Sequence, residues 1–151
     1  SLDLPKKYSF KNGQGSIMTN GSDGIIFAYG QTMINQAYKT YKILLKDGIK
    51  LKVVNMPCIN YFNLNWLKKT IGRIKYLFFL EDHNINGGIS DLMTSFITNN
   101  NFVNNCIFKK FGPNEFPECG TPEEVLKYHK LDHLNLSLKI KKVLSAKKSK
   151  N

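Results

Sequence analysis

Glu81-Asp82-His83-Asn84-Ile85-Asn86-Gly87-Gly88 stands between two stretches of opposite pattern. Before it runs Lys75-Tyr76-Leu77-Phe78-Phe79-Leu80, an apolar run short enough to be a buried strand. After it, Ile89, Leu92, Met93, Phe96 and Ile97 repeat at helical spacing. A polar, glycine-bearing turn from buried strand to amphipathic helix marks the carboxyl edge of an open α/β sheet. Such folds place ligands and subunit contacts at that edge. The turn therefore fixes the fold class without naming a reaction.

The same punctuation recurs along the chain. Ser16–Thr19 reads as a short strand, and Gly24-Ile25-Ile26-Phe27-Ala28-Tyr29-Gly30 as one covered on both faces. Ile34, Ala37, Tyr38, Tyr41, Leu44 and Leu45 share one helical face, which Asp47-Gly48 closes with glycine as the cap. A strand is predicted over Ile49–Ile59, then a helix carrying Leu64, Leu67, Ile71 and Ile74, capped by Asn63 or Asn65. Asn99-Asn100-Asn101 ends the helix that begins near Gly88. Cys106–Phe111, with its two lysines, reads as an edge strand. Thr121-Pro122-Glu123-Glu124 is a capping box with proline at the first helical position, opening a helix to about Tyr128. A last helix runs from about Leu134 to Leu144. Strand and helix alternate throughout, which calls for a mostly parallel sheet with helices on both faces. The expected organisation is a linker or cloning remnant over 1–14, one domain over 15–145 and a basic tail over 146–151.

Composition narrows the function classes. A chain of 151 residues, 42% of them hydrophobic, is one domain's length and can fill a core. More than half of the net charge of +11 comes from Lys139, Lys141, Lys142, Lys147, Lys148 and Lys150. Arg73 is the single arginine. Bidentate phosphate grip favours arginine, whose planar fork matches two oxygens, so no nucleic-acid role is expected and the tail reads as solvated. Cys58, Cys106 and Cys119 have no paired spacing, which fits a reducing cytoplasm and neither a disulfide scaffold nor a zinc knuckle. No apolar stretch reaches the roughly 18 residues a membrane span needs. The opening Ser1–Lys7 lacks the apolar core of a signal peptide, and a start at serine reads as a cut piece.

Glu81, Asp82 and His83 form the one clustered acid and imidazole set in the sequence. His83 can reach an anion or partner beside the amides that follow Gly87 and Gly88 at a helix amino terminus. Alternatively, Glu81 and Asp82 cap that helix while the glycines let the chain turn. Neither reading makes a catalyst, because no nucleophile or second base is near in sequence. Gly30-Gln31-Thr32 is the other strand-to-helix corner; it lacks the glycine spacing of a dinucleotide turn or a P-loop. His129 and His133, four apart, stand outside any H-E-x-x-H frame and read as surface residues. Cys119, in a Pro-Glu-Cys-Gly turn, is an exposed thiol whose pairing with His129 has no support from spacing.

Four motifs in order carry a family resemblance: Gly21–Gly30, Asp47–Asn55, Leu80–Ile89 and Cys119–Leu126. The set resembles the carboxyl-terminal domain of transketolases, above all the branch whose turn reads E-D-H-x-x-x-G-G, matched by Glu81, Asp82, His83, Gly87 and Gly88. The corresponding domains of deoxyxylulose-phosphate synthase and the pyruvate dehydrogenase beta chain share the outline with a different turn. The resemblance covers about residues 15–145. It implies an α/β fold of three layers around a five-stranded, mostly parallel sheet with the first strand antiparallel. It also implies that the Gly24–Gly30 and Tyr76–Leu80 strands are central neighbours. Gly30, Gln31 and Thr32 would then face Glu81, Asp82, His83, Gly87 and Gly88 across the switch point. One departure is plain: Pro117-Glu118-Cys119-Gly120 replaces a proline-arginine-serine-glycine run, so that arginine's anion contact is lost.

By the same resemblance, thiamine diphosphate and its magnesium ion belong to the two preceding domains, across a dimer interface. This chain then holds neither catalytic residue nor cofactor and contributes packing, homodimer contact and active-site support to ketol transfer between sugar phosphates. Two readings from other classes stand beside it. One is a free-standing basic module binding anions or nucleic acid through the tail. The other is a small hydrolase using Cys119 or the Glu81–His83 cluster.

Overall fold

Every position of the strand Gly24–Ala28 is buried in the computed structural model, which describes residues 9–102, 105–116 and 118–146. Most of the expected linker and nearly all of the basic tail lie outside those residues, as does Pro117 of the departing motif. The elements run β1 (Ser16–Ile17), β2 (Gly24–Ala28), α1 (Gly30–Lys46), β3 (Leu51–Asn55), α2 (Leu64–Ile71) and β4 (Tyr76–Leu80). They continue with α3 (Ile89–Asn99), β5 (Ile107–Phe111), α4 (Pro122–Tyr128) and α5 (His133–Ser145). The sheet order is β1-β3-β2-β4-β5. β2 pairs in parallel with β3 and β4, β4 in parallel with β5, and β1 antiparallel with β3. The central neighbours and the antiparallel first strand agree with the expectation.

Side chains divide between the two faces with the period of two that a pleated strand imposes. Ile26 and Ala28 of β2 and Phe78 and Leu80 of β4 face one layer, where Met33, Ala37 and Leu44 of α1 meet Leu136 and Ile140 of α5. Ile25, Phe27, Leu77 and Phe79 face the other, with Leu67 and Ile71 of α2 and Met93 and Ile97 of α3. Burial on both faces is why these strands read as unbroken apolar runs. Each fully buried aliphatic or phenyl side chain contributes about 1.5–3 kcal/mol.

β1 and β3 are each at least two residues shorter than the sequence suggests, for local reasons, and β2 gives up Tyr29 and Gly30 to the corner that opens α1. Thr19 uses its side chain as a ladder rung: Oγ1 donates to the Leu51 carbonyl (2.9 Å) and accepts from the Val53 N–H (2.9 Å), so β1 ends at Ile17. β3 stops at Asn55, because the Met56 N–H makes the last bond to β2 (Ala28 carbonyl, 2.8 Å) and Pro57 has no N–H to give. The helix starts behave as their capping residues dictate. Asn63 Oδ1 accepts from the Trp66 N–H, Thr121 and Glu124 form the reciprocal box, and Asp132 Oδ1 accepts from the Leu134 and Asn135 N–H groups.

The lysines of α5 are partly structural. Lys141 pairs with Asp47 (2.8 Å), while Lys139 donates to the Lys130 carbonyl and lies over the Phe111 ring.

Candidate functional site at the carboxyl edge

β2 and β4 run side by side with Ala28 opposite Leu80, so the residues that leave them meet above the middle of the sheet. Tyr29 follows β2 and Glu81 follows β4. The Tyr29 hydroxyl donates to Glu81 Oε2 at 3.1 Å. The same carboxylate, completely buried, accepts the Ser90 N–H through Oε1 (2.7 Å) and the Ile89 N–H through Oε2 (3.3 Å). The first N–H groups of a helix have no partner within it, and its positive end favours an anion. Here the anion comes from the preceding strand, since the N-cap Gly88 has no side chain to offer.

Two glycines make room for that carboxylate. A Cβ on Gly88 would sit 2.2 Å from Glu81 Oε2, and one on Gly112 would sit 2.7 Å from Glu81 Cβ. Gly87 turns the chain with φ of 82°. The turn is tied to the end of β5 by the Glu81 N–H to the Phe111 carbonyl (2.8 Å) and the Ile85 N–H to the Pro113 carbonyl (2.7 Å).

Of the two acids expected to cap α3, Glu81 does so and Asp82 does not. Asp82 is exposed and faces the other corner: a Cβ on Gly30 would lie 3.3 Å from its Oδ2. Asp91 takes the second anchoring role, accepting from the Gly87 N–H (2.7 Å) and pairing with Lys110 (2.8 Å). His83 is exposed, its ring 6.1 Å from that of Tyr29. Gly30 opens α1 with φ of 70°; Gln31 is exposed and Thr32 half-buried in the helix's first turn. All eight expected residues thus lie on one edge, in two layers. Glu81, Gly87 and Gly88 build the frame, and Gly30, Gln31, Asp82 and His83 form its surface, with Thr32 between.

Electrostatics follow from this layering. Burial, then the Glu81 carboxylate, push the Tyr29 phenol up to about 12, so its proton stays in the hydrogen bond. The hydrogen bonds from Lys110 and the Gly87 N–H hold Asp91 below the usual carboxylate range. Both Glu81 oxygens are occupied, so this carboxylate is no free base. The His83 ring nitrogens have no hydrogen-bond partner among the described residues. Among the described residues the edge thus shows no acid hydrogen-bonded to the His83 ring.

Phe116 is the residue that sequence reading missed. It is 94% exposed and borders a cleft of about 440 Å³ together with Asp82, His83, Asn84, Pro113 and Glu115. A lone phenylalanine in a polar loop has no periodicity to expose it, and only the fold brings it to the cleft that His83 also lines.

The other singled-out residues stay apart from this edge. His133 is not a surface residue: its N–H and its Nδ1 both contact Gln36 Oε1 of α1, at 2.9 and 3.1 Å. His129 is also half-buried, and its Nε2 has no partner among the described residues. Cys119 is exposed, beside Glu124 and Tyr128 at the start of α4. Among the described residues no group of three His, Cys, Asp or Glu could hold a metal ion. No helix there is long and apolar enough to cross a membrane.

Comparison with known proteins agrees with this architecture. Over 90 residues the chain is 33% identical to an apulose-4-phosphate transketolase subunit of Actinobacillus succinogenes, covering 60% of this chain and 29% of that protein. It is 28% identical over 129 residues to 1-deoxy-D-xylulose-5-phosphate synthase of Dehalococcoides mccartyi, covering 85% of this chain and 20% of that one. The fold is shared with a solved structure described as a split gene transketolase, inactive beta4 tetramer. That match has a TM-score of 0.78 at 23% identity and covers 94% of this chain and 47% of the other. The chain thus spans under half the length of each of these proteins. The model of the family described as "Transketolase, C-terminal domain" matches residues 13–136. With the five-stranded order, the buried glutamate and the paired glycines in place, this chain belongs to the transketolase C-terminal domain family.

Proposed function

We propose that this chain is the carboxyl-terminal part of an enzyme that transfers a two-carbon ketol unit between sugar phosphates. In this reading it acts without catalysis of its own, through packing, homodimer contact and support of an active site built by other domains or by a companion polypeptide. The observation that carries the reading is the division of labour at the carboxyl edge. Its buried carboxylate is committed to the fold, while Asp82, His83 and Phe116 stand exposed around a cleft and free to meet another surface. Two of the similar proteins, a transketolase subunit and a split gene transketolase, support placing the remaining parts elsewhere.

Thiamine diphosphate and magnesium enter only through those other parts. The donor set here does not fit them, since the edge has one buried carboxylate, already saturated, and no cluster of metal-ligating side chains among the described residues. A cytoplasmic setting belongs to the same proposal, supported by three free cysteines. The domain is taken as residues 15–145.

The test is amide hydrogen exchange of this chain alone and joined to the rest of its enzyme. Residues 29–32, 81–88 and 113–116 should gain protection on assembly. Unchanged exchange there, with protection gained elsewhere, defeats the docking face. A second reading, an enzyme of the deoxyxylulose-phosphate synthase type, draws on the longer alignment to those proteins. Product analysis of the whole enzyme separates the two.

A further inference from the structure

The opposite rim of the sheet carries a second cleft, of about 690 Å³, formed where the chain enters β2, β3 and β4. That volume falls within the roughly 300–1,000 Å³ typical of small-molecule sites. Arg73 and Lys75 line it, beside Tyr76. We propose that this cleft binds a phosphate monoester of a cyclic organic group, with Arg73 and Lys75 on the phosphate and Tyr76 against the ring. The proposal is independent of the carboxyl edge.

Charge commitments single out these residues. Two acids share the cleft, and both are engaged: Asp47 pairs with Lys141 (2.8 Å), and Asp23 Oδ2 accepts the Lys50 N–H (2.7 Å). Arg73 and Lys75 have no ion-pair partner among the described residues. The chain's single arginine thus makes no ion pair among the described residues, and its planar fork suits two phosphate oxygens. Lys75, two residues on, adds a second charge.

The backbone beneath them is fixed. Gly72, with φ of 55°, ends α2; the Ile74 N–H then bonds to the Ile71 carbonyl (3.0 Å), and the Lys75 carbonyl accepts from the Ile107 N–H (2.7 Å). Tyr76 is held by stacking on Phe78, with centroids 6.4 Å apart and planes 9° from parallel. Ligand binding there needs no rearrangement of the backbone, and the ordering cost falls on the Arg73 and Lys75 side chains.

The test is a two-dimensional amide NMR titration of the 151-residue chain with phenyl phosphate at about 0.15 M salt, where loose surface charge effects are screened. Shifts should concentrate at Gly48, Ile49 and residues 73–76, and inorganic phosphate should bind the same residues more weakly. Arg73→Ala with Lys75→Ala should weaken binding about tenfold or more. Both side chains are exposed, so the thermal midpoint should hold. Lys142→Ala, outside the cleft, should change nothing. Absence of shifts at millimolar ligand, equal affinity in the double variant, or shifts centred on Lys139 and Lys142, outside the cleft, would each overturn the proposal.

Discussion

Glu81 Oε1 accepts the backbone N–H of Ser90 at 2.7 Å, so the residue just after a buried strand also fixes the first turn of the helix that follows. Removing the carboxylate leaves the buried Ile89 and Ser90 N–H groups and the half-buried Tyr29 hydroxyl without their acceptor. Glu81→Ala should cost about 3 kcal/mol, and Glu81→Gln about 1–2, because the amide keeps one acceptor oxygen and loses the charge. Urea unfolding with an unchanged m-value measures both. A loss under about 0.5 kcal/mol, the scale of an ordinary surface change, would contradict the role given to this carboxylate.

Gly88 and Glu81 should be coupled. An added methyl at 88 meets Glu81 Oε2 at 2.2 Å, and the carboxylate is locked by three hydrogen bonds and cannot swing away without losing them. Gly88→Ala alone should therefore destabilise by about 1–3 kcal/mol. In the Glu81→Ala background the same substitution should be close to neutral, since the obstruction is gone. A double-mutant cycle with no interaction energy beyond about 0.5 kcal/mol would show that the two residues do not share a site.

Tyr29 predicts an alkaline limb. Its folded-state phenol is raised from 10.0 to about 12, first by burial and then by Glu81, so the fold favours the protonated form. That contribution is complete below pH 10 and is lost as pH climbs from 10 towards 12. Tyr29→Phe should flatten the fall of stability across this window relative to the unsubstituted chain. Parallel curves would refute the assignment.

Asp132 predicts the acid counterpart. Burial raises its pKa, but hydrogen bonds from the Asn135 side chain and the Asn135 and Leu134 N–H groups outweigh that and leave it below 3.8. A depressed carboxylate stabilises the fold above its unfolded value and loses that effect as pH falls through the folded one. Asp132→Asn should keep the cap and remove part of the acid limb below about pH 4. Asp132→Ala should cost about 1 kcal/mol at neutral pH through the lost cap. Equal acid limbs in all three proteins would contradict this account.

How far the sequence disclosed the site depends on whether a contact is local. The strand-to-helix corners, the Thr121 box and the two-faced strands are written in short-range pattern, and the structure reproduces them. The positions of the eight edge residues were also legible, because the parallel pairing of β2, β3, β4 and β5 places the carboxyl ends of those four strands on one rim. Which acid caps α3 was not: Glu81 and Asp82 are adjacent, and only the pleat decides that the first points inward and the second outward. Thr19 standing in for a backbone rung, Gln36 holding His133, and Phe116 and His83 lining one cleft all bring together residues remote in sequence. No periodicity records such pairs.

Ketol transfer between sugar phosphates, assayed with thiamine diphosphate and magnesium, tests the central claim most directly. The 151-residue chain alone should give no turnover, and the complete polypeptide, or this chain with the polypeptide that carries the other domains, should be active. His83→Ala should lower that activity while leaving the stability of the isolated chain unchanged, since the side chain is exposed. Turnover by the chain alone, or a complete protein without ketol transfer, would contradict the account.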